Sequence, residues 1–213
     1  MVIIFPETHK IIAKNIYDEI YENYNIKLSK NRLLWGSVSP DILPKYKIYK
    51  HYKDDNENMV INEIISLIYI VKVFDLYHLT RFQKAILSNK LGVISHFLCD
   101  YVTLPHKEKW TFNDSFNKHV IYEKELNELA KNHDFKSNII SVDKINIYEY
   151  ETIMLKSIVK EYIDNVIVEY SKTQSYERDL DFGLSLSLNI TQFILETALE
   201  LNRNRSIEYS FVF

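Results

Sequence analysis

Leu91-Gly92-Val93-Ile94-Ser95-His96-Phe97-Leu98-Cys99-Asp100 is apolar on nearly every side when wound as a helix, yet it carries an imidazole and a carboxylate. A helix that is apolar all round belongs in a protein interior. His96 and Asp100 are four residues apart, so their side chains lie one above the other on the same face. A buried Asp100 with no cation or hydrogen-bond partner would be costly. Gly92 stands one turn before His96 on that face, where a missing side chain lets another backbone or a ligand approach. Pro105 pushes the residue before it out of the α region, so the helix begun near Leu79 ends near Val102.

The rest of the chain agrees with a helical reading. Its 213 residues contain only three glycines (Gly36, Gly92, Gly183) and four prolines (Pro6, Pro40, Pro44, Pro105), too few turn residues for a β-sandwich or a Rossmann-type sheet. Apolar residues make up 46% of the chain, which excludes disorder, and a net charge of −3 does not indicate a polyanion-binding surface. One cysteine, Cys99, excludes an intramolecular disulfide framework and suits a reducing compartment. Met1–Lys10 lacks the basic n-region and cleavage site of a secretory signal, and the apolar run Ile64–Val71 stops at Lys72, short of a membrane span. A cytoplasmic location is expected.

No repeat or linker divides residues 1–213, which are expected to form one all-α domain of seven or eight helices. Thr8 is the expected N-cap of a first helix reaching about Tyr24, with Ile12, Ile16 and Ile20 on one stripe. The stretch from Arg32 to about Asp55 holds Gly36, Pro40 and Pro44 and is expected to be a loop with one short helix. Helices are expected from Asn58 to about Val73, from Leu79 to about Val102, and from Asp114 or Ser115 to about Asn132. The charged run at 53–58 reads as solvated surface and residues 133–146 as irregular. Two long amphipathic helices near 147–170 and 179–204 include Tyr148, Ile153, Leu155, Ile158, Ile163 and Val166 among their apolar positions, and the tail from Ser206 to Phe213 reads as a short extended segment.

A second i, i+4 pair, His119 and Glu123, repeats the pattern of His96 and Asp100, and His106 follows just beyond the first helix. Imidazole and carboxylate on one helix face form what a zinc or manganese ion takes from a helical bundle. Either pair alone commonly means a surface hydrogen bond. His78, in Asp75-Leu76-Tyr77-His78, reads as a partly exposed helix residue, and Cys99 as a small core residue on another face than His96. His133-Asp134 is the dipeptide of the HD phosphohydrolases but lies in a polar loop without the fitting partners. Trp35 and Trp110 flank the candidate segments as rim or pocket wall.

These residues, taken in order, resemble the zinc-dependent phospholipase C family of bacteria. The resemblance is carried by Thr8-His9, Gly36-Ser37-Val38-Ser39-Pro40-Asp41, His51-Tyr52, the Leu91–Asp100 stretch, Pro105-His106, and His119 with Glu123, over about residues 6–130. It implies an all-α multi-helix bundle of the phospholipase C and single-strand nuclease type. It further implies two or three zinc ions and hydrolysis of a phosphodiester or phosphomonoester. His51, His96 and Asp100 would hold one zinc, and His106, His119 and Glu123 a second. Asp100 would bridge towards a third metal that His9 also binds. Asp41 would be the general base or the group that orients the attacking water. The substrate would be a phosphate ester such as a phospholipid, met through transient contact with a membrane surface.

Secreted members complete the third site with a mature N-terminal tryptophan, where this chain has Met1-Val2-Ile3-Ile4-Phe5, and their choline-contacting residues have no counterpart placed here. Two other readings compete. The single-strand-specific fungal nucleases share the scaffold, but they prefer Asp where Glu123 stands, and the acidic balance gives no help with nucleic acid. A catalytically silent metal-binding helical protein is the other, although a purely structural site has no need of Asp41.

Overall fold

A computed structural model describes residues 6–46, 52–110, 112–145 and 154–210, with backbone alone at 112–116 and 204–210. Among these residues there are eight helices and no strand: α1 (Glu7–Tyr24), α2 (Lys30–Ile42), α3 (Lys53–Val71), α4 (Arg81–Tyr101), α5 (Leu104–Lys107), α6 (Phe112–Ala130), α7 (Leu155–Tyr170) and α8 (Tyr176–Ser210). Helix α4 is the central element, in contact with α1, α2, α3, α5 and α8. Every residue from Leu91 to Tyr101 is buried, as the all-round apolar pattern requires. Thr80 starts this helix with a capping box, its hydroxyl accepting from the Gln83 N–H while the Gln83 side chain accepts from the Thr80 N–H.

The main core joins α1, α3, α4, α7 and α8, with Ile16, Leu67, Phe97, Val166 and Phe182 among its fully buried members. A smaller apolar cluster, Tyr122, Leu126 and Ala130 of α6 with Leu180 of α8, lies beside it. No helix among the described residues is long and apolar enough to cross a membrane.

Within the stretch 32–55, expected to be a loop with one short helix, α2 runs for 13 residues and its last turns take the place of the expected loop as far as Ile42. Gly36 and Pro40 look like breakers, but the helix accommodates both, Gly36 through a tertiary contact and Pro40 through a local one. An added Cβ at Gly36 would stand 2.2 Å from the Asn89 carbonyl oxygen, and one at Gly92 would stand 2.3 Å from that of Leu33. The two glycines therefore let the backbones of α2 and α4 meet directly. Pro40 has no N–H for the Gly36 carbonyl, and the Ser39 hydroxyl donates to that carbonyl instead, at 3.1 Å.

Other boundaries shift for similar reasons. Thr8 is not an N-cap: Pro6 takes that position, and Thr8 lies inside the first turn with its N–H donated to Asn127 Oδ1 of α6 at 3.0 Å. The run at 53–58 is the start of α3. Asp54 and Asp55 complement the helix dipole there, and buried Asn56 accepts from the Tyr101 hydroxyl. Residues 206–210 continue α8 rather than forming an extended tail, whereas Tyr148, Ile153 and residues 211–213 lie outside the described residues.

Candidate metal centre

The interior half of α4 supplies His96 and Asp100, both 2% exposed or less. His96 Nδ1 lies 2.9 Å from the Ser37 carbonyl oxygen of α2. A carbonyl only accepts, so Nδ1 carries the proton and Nε2 presents its lone pair to the site. That Nε2 stands 3.3 Å from Asp100 Oδ2 and 3.5 Å from Asp41 Oδ1. Ser37 and Asp41 are one turn apart on α2, so the close glycine contact that seats α2 also places both against His96. From α1, His9 brings Nε2 to 3.4 Å from Asp100 Oδ1, with its ring 4.2 Å from that of His96.

A second group forms where α5 meets α6. His119 Nε2 is 2.7 Å from Glu123 Oε1, and His106 Nε2 is 3.7 Å from the same oxygen. The His106 and His119 rings stand edge to face, 5.1 Å apart. Asp100 lies between the groups, its Oδ1 facing His9 on one side and His106, at 3.8 Å, on the other. Asn127 links the two groups through the chain. It lies one turn after Glu123 and accepts the N–H of Thr8, the neighbour of His9.

The charges follow from this arrangement. Burial, reinforced by His96, drives His9 down to about 4 despite Asp100 and Asp41, so its imidazole is neutral at pH 7. Burial pulls His106 down too, but Asp100 and Glu123 outweigh it and raise the imidazole to about 9. Glu123 is pushed up by burial and more strongly down by His106 and His119, to about 2.

These residues fit divalent cations. Donor atoms of His9, Asp41 and His96 all lie within 4.8 Å of one another, as do those of His106, His119 and Glu123. Nitrogen and carboxylate oxygen in such numbers suit zinc. His9 Nδ1 is buried without a hydrogen-bond partner, and the His96 lone pair faces two carboxylates, an arrangement that a cation between them would relieve.

The grouping differs in one respect from that implied by the resemblance. Asp41 converges with His9 and His96 as closely as a ligand does, with Asp100 alongside, while His51 lies outside the described residues. The remaining candidates are engaged elsewhere. His78 is exposed in the α3–α4 connection, not on a helix, and pairs with Asp75 at 2.9 Å. His133 Nε2 meets Asp181 Oδ1 of α8 at 2.7 Å. Cys99 faces α8, with Sγ 3.6 Å from Ser187 Oγ. Trp35 is 43% exposed, and Trp110 packs edge to face on Tyr122 with the Lys118 ammonium 3.9 Å above its ring. Sequence reasoning missed Ser37, Asn127, Asp179 and Asp181. The only local signal was polar residues set on otherwise buried helix faces.

An all-helical fold that converges imidazoles and carboxylates from α1, α2, α4, α5 and α6 offers the donor set that metal-binding helical proteins use. The model of the zinc dependent phospholipase C family matches residues 8–177, and the chain belongs to that family. No curated protein and no solved structure gives a significant match.

Proposed function

We propose that this chain is a zinc-dependent phosphoesterase of phospholipase C type, hydrolysing a phosphodiester or phosphomonoester. The observation that carries the reading is the convergence of Asp41 with His9 and His96 beside the buried Asp100. His9, His51, His96, Asp100, His106, His119 and Glu123 are the proposed ligands of two or three zinc ions. Bound there, zinc supplies charge neutralisation at phosphate oxygens and lowers the pKa of water.

Asp41 is the proposed general base. Its side chain is 22% exposed against 3% for Asp100, so of these two carboxylates it is the one that solvent reaches. Its place in the last turn of α2 holds the carboxylate ready to take a proton from the attacking water. Phospholipid at a membrane surface is the substrate proposed first, and the lone buried Cys99 suits the cytoplasm as its location.

The test is metal analysis of chain purified without added zinc, followed by assays on generic phosphate mono- and diesters, phospholipid micelles and single-stranded DNA, each with zinc and with a chelator. At least two ions per chain and chelator-sensitive phosphoesterase activity are expected. Asp41→Asn should keep the metal and lose activity by roughly 10²–10⁴-fold. A folded chain free of metal, or full activity in Asp41→Asn, overturns the reading. Turnover of DNA alone selects the nuclease, and metal without turnover selects the silent protein.

A further inference from the structure

We propose that Asp179 is a positioning residue that sets the spacing of His106, His119 and Glu123 by holding α5 and α6 together from the start of α8. The inference rests on reading those three residues as zinc ligands. Asp179 lies two positions beyond the segment that the family model matches.

The carboxylate is 2% exposed and collects donors from three helices. Its Oδ2 accepts from the Tyr122 hydroxyl of α6 at 2.6 Å and from the Leu104 N–H of α5 at 3.2 Å. Its Oδ1 accepts from the Tyr170 hydroxyl of α7, also at 2.6 Å. Tyr122 is the neighbour of Glu123 and follows His119 by three positions, and Leu104 precedes His106 by two. One buried oxygen thus joins the two segments that carry the second group.

Helix α6 also packs on α1, where Asn127 accepts the Thr8 N–H, but the Asp179 carboxylate bonds to α5 and α6 together. Helix α5 is a single turn, too short to be stable by itself, and the Leu104 N–H is one of the donors that a helix start leaves without an internal acceptor. Helix α6 meets α8 through a small apolar cluster of four buried residues. The clamp is itself tied to the end of α7. Arg178, the preceding residue, donates to the carbonyls of Glu169 and Tyr170 at the end of α7, at 2.8 and 3.2 Å. Asp179 also sits in the first turn of α8, where the helix dipole favours a negative charge.

Asp181 provides a matched comparison. It is also buried and also on α8, but it accepts from His133 and from the Lys136 N–H, in the connection after α6 and away from the ligand segments. An anchor that only stabilises the fold and one that positions ligands therefore differ in zinc affinity.

The experiment measures zinc dissociation constants by competition with a chromophoric chelator, and thermal unfolding by circular dichroism. The chains compared are wild type, Asp179→Ala, Asp179→Asn, Tyr122→Phe and Asp181→Ala. Asp179→Ala should weaken retention of one zinc per chain by about 10–100-fold. Asp179→Asn, which keeps an acceptor of the same shape, should recover much of that loss, and Tyr122→Phe should lose several-fold. Asp181→Ala should melt lower yet hold zinc as the wild type does. Wild-type affinity in folded Asp179→Ala, or an equal loss in Asp181→Ala, overturns the inference alone. If Asp179→Ala does not fold, unchanged affinity in both Tyr122→Phe and Asp179→Asn overturns it. A wild-type chain that holds no zinc overturns the ligand reading and this inference with it.

Discussion

His96 and Asp100 project from the interior of α4, where the backbone of α2 is pressed against Gly92 and the Ser37 carbonyl accepts from His96. His106, His119 and Glu123 stand on a single-turn helix and a peripheral one, tied down by hydrogen bonds to the carboxylate of Asp179. The seat of the first arrangement is steric, so it tolerates no added atom. The second is electrostatic, so it accepts changes of shape but responds to protonation and to the loss of single donors. Asn127 belongs to both, holding the first turn of α1 from the last turn of α6.

The largest effect should come from filling the steric contact. Gly36→Ala and Gly92→Ala each drive a Cβ into a backbone oxygen, at 2.2 and 2.3 Å, and should cost roughly 3 kcal/mol or more. For a chain of this length that is a fall in Tm of roughly 6–12 °C. Gly183→Ala would meet only side chains, Ile12 Cδ1 at 3.3 Å and Cys99 Sγ at 3.4 Å, and should stay within about 1 kcal/mol of wild type. Equal melting temperatures in all three variants would remove the steric half of the contrast.

The polar region should reveal itself through pH. Burial pushes Asp179 up to about 6, against the hydrogen bonds from Tyr122, Tyr170 and Leu104. An unfolded aspartate titrates near 3.9, so the folded chain binds the extra proton between about pH 4 and pH 6. The stability from this protonation is complete below about pH 4 and is lost as pH rises through about 6. Asp179→Asn is neutral throughout. The stability of wild type relative to that variant should therefore fall by on the order of 2 kcal/mol from about pH 4 to pH 7. Urea unfolding at several pH values reads this directly, and a flat difference would contradict it.

The smallest effect tests the link between the regions. Asn127→Ala leaves the Thr8 N–H in a buried site without its acceptor and should cost about 1 kcal/mol. Because Thr8 adjoins His9, the same variant should raise the amide hydrogen-exchange rate of the first turn of α1 while leaving α4 unchanged. Faster exchange in both helices would show that α1 and α4 open together.

The legibility of the chain divides along similar lines. Helix α4 could be read almost to its ends, because its all-round apolar pattern and Pro105 are local signals. Helix α2 could not, because the local penalty of Gly36 is offset by partners at Gly92 and Asn89, more than fifty residues away. The charged run at 53–58 read as surface, yet its Asn56 is buried against Tyr101. In the candidate site, the His96–Asp100 and His119–Glu123 pairs were visible because helical spacing alone puts each pair on one face. Asn127 and Asp179 were not, since their importance lies in bonds to Thr8, Leu104 and Tyr122, which are 119, 75 and 57 residues away.

By itself the sequence determined a helical chain of the zinc dependent phospholipase C family and the residue types that meet at its candidate metal centre, since periodicity, scarce breakers and spaced imidazoles and carboxylates are written locally. Only the tertiary structure decided that Asp41 converges with His9 and His96, that Asp100 lies between two groups, and that the carboxylate of α8 reaches α5 and α6. The physical reason is that these are contacts between helices. Their distances depend on which backbones can approach and which buried donors find acceptors, and no local window of residues contains either fact.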